Sequence, residues 1–246
     1  MGWNHPRGKV VAVNAHGHGE GIVIAIDGPS GSGKSSTAKG VARARELRYL
    51  DTGAMYRAMT WWMIQHQVDV ADAAAVAARS AEPVITMGTD PEAPTVRVDG
   101  TDVARAIRTD EVTGRVSTVS AVPEVRERLV ALQRDIIAEA RRDAAGIVVE
   151  GRDITTVVAP EAPVRLYLTA SAQARAVRRS KENRTSDVAA TEAALALRDR
   201  LDSSRALSPL TQAEDSLELD SSGLSLDEVV ALVVKLADEA AERTAR

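Results

Sequence analysis

The chain contains no cysteine and no phenylalanine, and aromatic residues make up only 2% of its 246 positions. Without thiols, disulfides and thiolate metal sites are excluded, and a reducing, cytoplasmic setting is expected. Scarce aromatics leave few platforms for stacking nucleic-acid bases. A net charge of −4 opposes wholesale binding to a phosphate backbone. No apolar run approaches the length that spans a bilayer, and the first twenty residues lack the basic, apolar and small-residue blocks of a secretory signal. Neither nucleic acid nor membrane is therefore expected as a partner. No apolar surface stripe stands out, so a monomer acting on a small substrate is the expectation.

What is present begins with the apolar run Ile22-Val23-Ile24-Ala25-Ile26, followed by Gly28-Pro29-Ser30-Gly31-Ser32-Gly33-Lys34-Ser35. This is a complete G-x-x-x-x-G-K-[ST] loop between a buried strand and a helix. Such a turn aims successive backbone N–H groups and the positive end of the helix dipole at one spot. Gly28, Gly31 and Gly33 let the backbone curl around a polyphosphate, Lys34 reaches its β/γ-oxygens, and Ser35 is placed to ligate Mg²⁺. Ser36 follows in the first helical turn and is grouped with the loop. A nucleoside triphosphate is the expected ligand.

Short apolar runs then alternate with helical patterns. Strands are expected at Ile22–Ile26, Tyr49-Leu50, Ile147–Val149, Val164–Leu168 and Ser216–Leu219. Helices are expected over Lys34–Leu47, about Ala54 to Gln67, Glu111–Ser120, Pro123–Arg142 and Leu226–Arg243. This alternation predicts an α/β fold, a parallel sheet with helices on both faces. Residues 83–109 break the rhythm with Val84-Ile85-Thr86-Met87, Pro91, Pro94 and Thr95–Gly100, which predicts a small inserted antiparallel sheet. The organisation read from these patterns is a disordered leader over 1–20 and a core over 21–82 and 110–246, interrupted by the insert.

In open α/β sheets ligands sit beyond the carboxyl ends of the strands. After the second strand comes Asp51-Thr52-Gly53-Ala54-Met55-Tyr56-Arg57, with Thr52 a candidate N-cap and Arg57 just over one turn into the helix. This stretch reads equally well as capping beside a solvated arginine. After the third strand comes Glu150-Gly151-Arg152-Asp153, where buried charge demands a partner or a ligand. Arg152 offers a planar fork for phosphate, Asp153 can orient it or accept from a base amino group, and Glu150 can hold Mg²⁺ through water. A structural ion pair is the plainer alternative. Arg198, Asp202 and Arg205 fall at i, i+4 and i+7, one face of one helix, a pattern that a solvated salt-bridged surface also produces. Arg175, Arg178 and Arg179 suit a mobile flap over transferring phosphates, or a basic helix end facing the dipole. Spacing alone does not assign Arg108-Thr109, Ser117 or Arg126.

Taken together and in order, these motifs closely resemble the bacterial cytidylate kinase family. The likeness runs over about residues 21–240 and includes Ile26–Gly31, Leu50–Arg57, Ile107–Val112, Pro123–Arg126, Glu150–Asp153, Leu168–Ser171, Arg198-Asp199 and Asp202-Ser203. It implies a P-loop kinase with a five-stranded parallel core, the insert as a monophosphate-binding segment, and a short lid over about 178–190. It implies γ-phosphoryl transfer from MgATP to CMP or dCMP. Arg57 and Arg152 would clamp the acceptor phosphate. Thr52, Arg126, Asp153 and Arg205 would surround the cytosine, and Ser117, Arg198 and Asp202 would face the sugar. Lys34, Arg152, Arg178 and Arg179 would act on the transferring group.

Two positions depart from the family pattern. Thr155 stands where the family usually has glycine, which would change a turn beside the acceptor phosphate. Leu201 replaces an arginine often found between the helix arginines. Another small-molecule P-loop kinase, acting on thymidylate, dephospho-coenzyme A or shikimate, would explain the loop but not the 150–153 and 198–205 sets. A GTPase switch needs an N-K-x-D stretch that the chain lacks. A non-catalytic nucleotide-binding module does not need Lys34, Ser35 and the arginine sets.

Overall fold

The computed structural model describes residues 21–183 and 187–244. The leader expected over 1–20, and the middle of the expected lid, lie outside the described residues.

Strand β1 (Val23–Asp27) is buried along its whole length, as a strand covered on both faces must be. Its alternate side chains enter two different cores. Val23 and Ala25 join a cluster with Met55, Met59, Leu129 and Val149, while Ile24 and Ile26 join Val41, Val148, Leu166 and Val233 on the other face. The sheet order is β2-β6-β1-β7-β8, with β2 Arg48–Asp51, β6 Ile147–Glu150, β7 Val164–Thr169 and β8 Leu217–Asp220. Every pairing is parallel. The chain leaves β1 to one side for β2 and β6, then crosses to the other for β7. The carboxyl end of β1 is therefore the switch point where a crevice opens.

Helices α1 (Lys34–Ala44) and α8 (Leu226–Thr244) share one face of the sheet. Val229, Val233, Ala237 and Ala240 form the buried stripe of α8, at the spacing an amphipathic helix needs. Helices α2 (Thr52–Gln65) and α5 (Pro123–Arg142) cover the opposite face, with α3 (Ala73–Arg79) and α4 (Asp110–Val119) beside them.

The insert is antiparallel as expected, but it has three strands, β3 Ile85–Met87, β4 Val96–Val98 and β5 Thr101–Asp102. The third strand follows from Asp99-Gly100, whose φ values of 50° and 80° make the tight two-residue hairpin that Asp-Gly favours. Trp62 Nε1 donates to Asp99 Oδ2 at 2.9 Å, tying α2 to that turn.

Two helices end earlier than periodicity predicts. α1 stops at Ala44 and α2 at Gln65, because Glu46 (φ 54°) and Gln67 (φ 55°) turn left-handed. Leu47 N–H then donates to Ala42 O at 2.8 Å, and Val68 N–H to Met63 O at 2.9 Å. This is the helix stop usually written with glycine, here written with side chains that give no such signal. After β7 come α6 (Ala172–Asn183) and α7 (Val188–Ser203), which lie against the carboxyl edge of the sheet. Among the described residues no helix is long and apolar enough to cross a membrane.

Candidate active site

The loop leaving β1 needs glycine at Gly28 for lack of space and at Gly33 for its backbone angle. A Cβ on Gly28 (φ 147°) would lie 2.0 Å from the Leu168 carbonyl oxygen, and Gly33, with φ 94°, is the N-cap of α1. Lys34 is buried and its Nζ donates to Pro29 O at 2.7 Å. Burial and the Arg152 guanidinium push its pKa down to about 7. Beside it the Glu150 carboxyl is raised, by burial first and by the nearby Asp51 charge second, while Lys34 and hydrogen bonds from Ser35 and Tyr49 oppose that shift. Tyr49 Oη donates to Glu150 Oε1 at 2.6 Å.

A cleft of about 340 Å³ opens from this loop between α2, α4, α7 and the end of β6. All nine acceptor-side residues expected from sequence line it, together with Ser30, Gly31, Lys34, Ser35 and Arg179. Arg57 is buried on α2, where Nη1 donates to Thr113 Oγ1 at 2.8 Å and to Ile107 O at 3.3 Å. Arg152, just beyond β6, donates from Nε to Asp202 Oδ2 at 3.0 Å and from Nη1 to Gly28 O at 2.9 Å. Asp202 also accepts from Ser117 Oγ at 3.2 Å, and Arg198 Nε lies 3.9 Å away. Burial works to raise the Asp202 carboxyl, but Arg152, Arg198 and Arg205 hold it below the usual carboxylate range.

The basic groups disfavour one another's charge. Burial, then Arg179, brings Arg57 down to about 10. Burial, then Arg152 and Arg57, brings Arg198 down to about 9. Lys34 and seven arginines line the cleft against Asp51, Glu150, Asp153, Glu182 and Asp202, and such a surplus of basic groups in a desolvated cleft favours an anion.

Three expectations are corrected by this geometry. Asp153 does not orient Arg152. It pairs with Arg126 from α5, both side chains only 5% exposed, and Arg126 Nη1 also donates to Ser120 O at 3.1 Å. Thr52 is not the N-cap of α2. Asp51 is, accepting from Ala54 N–H at 2.9 Å, while Thr52 Oγ1 donates to Glu150 O at 2.8 Å. Arg205 lies beyond the last residue of α7, and its Nε turns back to Asp202 O at 3.2 Å while Nη1 reaches Ser120 Oγ at 3.2 Å.

Arg178 and Arg179, expected from sequence to lie in a lid, divide. Arg178 faces the phosphate loop, donating to Ser32 O at 3.4 Å and to Ser221 Oγ at 2.9 Å. Arg179 lines the cleft and pairs with Glu182 at 3.1 Å.

Thr155 takes no left-handed backbone angle, so the turn after Arg152 does not demand glycine. Its N–H and Oγ1 both donate to Asp27 Oδ2 at 2.7 Å, and Ile154 N–H donates to Oδ1 at 2.9 Å. Leu201 is exposed on α7 and does not line the cleft.

Sequence reasoning missed Asp51, Tyr56 and Arg108 as cleft residues. Asp51 carried the same signal as Thr52, a polar residue ending a buried strand. Arg108 sits on a single 3₁₀ turn after β5, which helical spacing does not reveal, and approaches Asp51 at 3.5 Å.

Residues 24–239 match the model of the cytidylate kinase family. A cytidylate kinase of Streptomyces avermitilis is 56% identical over 218 residues, covering 89% of this chain and 93% of that relative. One from Nocardia farcinica is 53% identical, covering 85% and 90%. One from Corynebacterium glutamicum is 46% identical, covering 91% and 97%. A solved structure of a protein from Eubacterium ventriosum superposes with a TM-score of 0.50 at 12% identity, covering 89% of this chain and 98% of that one; this likeness concerns the fold alone. With the family's motifs in order along the chain and their side chains gathered in one cleft, the chain belongs to the cytidylate kinase family.

Proposed function

We propose that this chain transfers the γ-phosphoryl group of ATP to CMP or dCMP, giving ADP and CDP or dCDP. The observation that carries this reading is the convergence of Arg57, Arg152 and Arg198 with Lys34 of the phosphate loop on one cleft, where burial first and neighbouring arginines second disfavour the charge of Arg57 and Arg198. Such a site is relieved by a phosphate monoester. Arg57 and Arg152 clamp the acceptor phosphate, each held by protein oxygens that fix the direction of its fork. An acceptor oxygen, already anionic at neutral pH, attacks the γ-phosphorus, and the bond to the β-bridging oxygen breaks. No general base is required. Lys34, Arg178 and Arg179 spread positive charge along the transferring group. Closure over the bound nucleotides excludes water that would otherwise take the phosphoryl group.

Thr52, Arg126, Asp153 and Arg205 form the base end. The Asp153 carboxylate, charge-balanced by Arg126, is suited to accept from the exocyclic amino group that cytosine carries and uracil lacks. Ser117, Arg198 and Asp202 form the sugar end. The insert over 83–109, which brings its Arg108 to the cleft, is the segment that closes over the acceptor, and α6 and α7 carry the lid.

Among the described residues no group of three or more His, Cys, Asp or Glu side chains is placed to hold a metal. Ser35 hydrogen-bonds a Glu150 carboxylate whose pKa is raised partly by Asp51, and this set of hard oxygens suits Mg²⁺ completed by substrate phosphates and water. Ser35, with Glu150 behind it, would hold that ion, which would supply positive charge to the transferring phosphates. The experiment that tests the reading is coupled-assay turnover with ATP and a panel of CMP, dCMP, UMP and AMP. Activity with the cytosine nucleotides well above the others is expected, and a preference for AMP or UMP would overturn it.

A further inference from the structure

Helix α7 presents two stripes. Arg198 and Asp202, one turn apart, face the acceptor cleft. Leu195 and Asp199, also one turn apart, face the phosphate loop instead. Leu195 is buried, with Cδ1 3.5 Å from where a Gly31 side chain would begin. Asp199 Oδ1 accepts from Ser30 N–H at 3.0 Å, and its Oδ2 accepts from Arg175 Nη1 on α6. The same Arg175 nitrogen donates to Ser30 O at 3.0 Å, and Arg175 Nε donates to Ala170 O at 3.2 Å. Both backbone polar groups of Ser30 are thus taken by side chains of α6 and α7. A Cβ on Gly31 would meet Arg175 Cβ and O at 3.3 Å, so helix and loop touch without slack.

A carboxylate beside a loop that receives a polyanion is electrostatically unfavourable. Arg175 neutralises it, the two side chains being 12% and 17% exposed. What the arrangement provides is register. Arg198 follows directly before Asp199 in the chain, so any shift of the loop that moves Asp199 also moves the acceptor-facing stripe.

We propose that Asp199 is a positioning residue that couples the donor loop to the acceptor cleft, so that nucleotide in one site sets the arginine geometry of the other. This rests on the reading of the two sites given above. If that reading fails, the wild-type protein will not phosphorylate CMP at all. If only the coupling fails, it will turn over CMP normally.

The test is calorimetric titration of CMP into the full chain, with and without a non-hydrolysable ATP analogue and Mg²⁺. The analogue is expected to tighten CMP binding in the wild type by about fivefold or more, the usual scale of site-to-site coupling. Asp199→Ala is expected to bring that factor close to one, while CMP affinity without analogue stays within about twofold. Asp199→Asn keeps an oxygen for Ser30 N–H and is expected to retain most of the coupling. Arg175→Gln, which leaves Asp199 unneutralised, supplies a second perturbation if Asp199→Ala does not fold, and is expected to lower the factor too. The proposal is overturned if the wild-type factor is one, if both Asp199→Ala and Arg175→Gln couple like the wild type, or if Asp199→Ala weakens CMP alone in the same proportion. It is equally overturned if Asp199→Asn couples no better than Asp199→Ala.

Discussion

Arg152 Nε donates to Asp202 Oδ2 at 3.0 Å across 50 residues of sequence, joining the end of β6 to α7. Asp202 thereby fixes the Nε edge of the guanidinium while Gly28 O takes Nη1, which turns Nη2 toward a phosphate in the proposed reading. Arg152→Ala should lower kcat/KM for CMP by about a hundredfold or more, as losses of about 3 kcal/mol in transition-state binding do. Asp202→Asn should cost less, about tenfold, because the fork remains but loses its charged anchor. Steady-state kinetics with both substrates varied will check both, and a value for Arg152→Ala near that of the wild type would remove Arg152 from the site.

The Arg126–Asp153 pair makes a different demand. Both side chains are buried, and removing one partner of a buried ion pair leaves the other uncompensated, at a cost of about 3–5 kcal/mol. Arg126→Met should therefore destabilise the fold strongly in urea titrations. The double variant Arg126→Met/Asp153→Leu should recover most of that stability, because it leaves no orphaned charge. It should not recover CMP binding, since the groups assigned to the base are gone. A double variant that binds CMP normally would show that this pair serves folding alone.

Much of this cleft was legible because strand ends are legible. Ile147–Val149 is followed by Glu150-Gly151-Arg152-Asp153, and such charge after a buried run has few uses other than pairing or binding. What the sequence could not show is who pairs with whom. Asp153 stands next to Arg152 in the chain yet bonds Arg126, because successive residues leaving a strand point to different sides. Arg152 instead finds Asp202, a partner that only the packing of α7 against the sheet can supply. The helix stops at Glu46 and Gln67 were hidden for a related reason. Their left-handed angles are imposed by the packing of Leu47 and Val68 beyond them, not by local preference.

Lys34 gives a pH dependence with a defined sign. Burial and Arg152 bring its pKa to about 7 in the free protein, whereas polyphosphate oxygens favour the ammonium form and must raise it. Below that pH the lysine is already charged, and donor affinity should not vary through this group. Above it, binding must be accompanied by proton uptake, so affinity should fall by up to about tenfold per pH unit. Calorimetry of the ATP analogue in buffers of different ionisation enthalpy will measure the uptake. At about pH 8 the wild type should take up most of one proton more than Lys34→Met, and at about pH 6 the two should agree. Equal uptake at the higher pH would place the Lys34 pKa elsewhere.

The Thr155 hydroxyl is the third donor, after the N–H groups of Ile154 and Thr155, to a carboxylate that no solvent reaches. Asp27 is fully buried at the end of β1. Burial raises its pKa, and the bonds from Thr155 and Ile154 pull it back down. Thr155→Val keeps the side-chain volume and deletes the hydroxyl, leaving part of a buried charge unsatisfied, which should cost about 1–3 kcal/mol at neutral pH. Thr155→Ser should stay close to the wild type. The deficit of the valine variant also has a direction with pH. Losing a downward influence raises the folded-state pKa of Asp27 further, so the penalty applies in full where the carboxyl is ionised and shrinks as the pH falls through that pKa. Urea unfolding of the three proteins at neutral and acidic pH will measure it. A valine deficit that does not change with pH would mean that the hydroxyl acts through packing and not through the charge on Asp27.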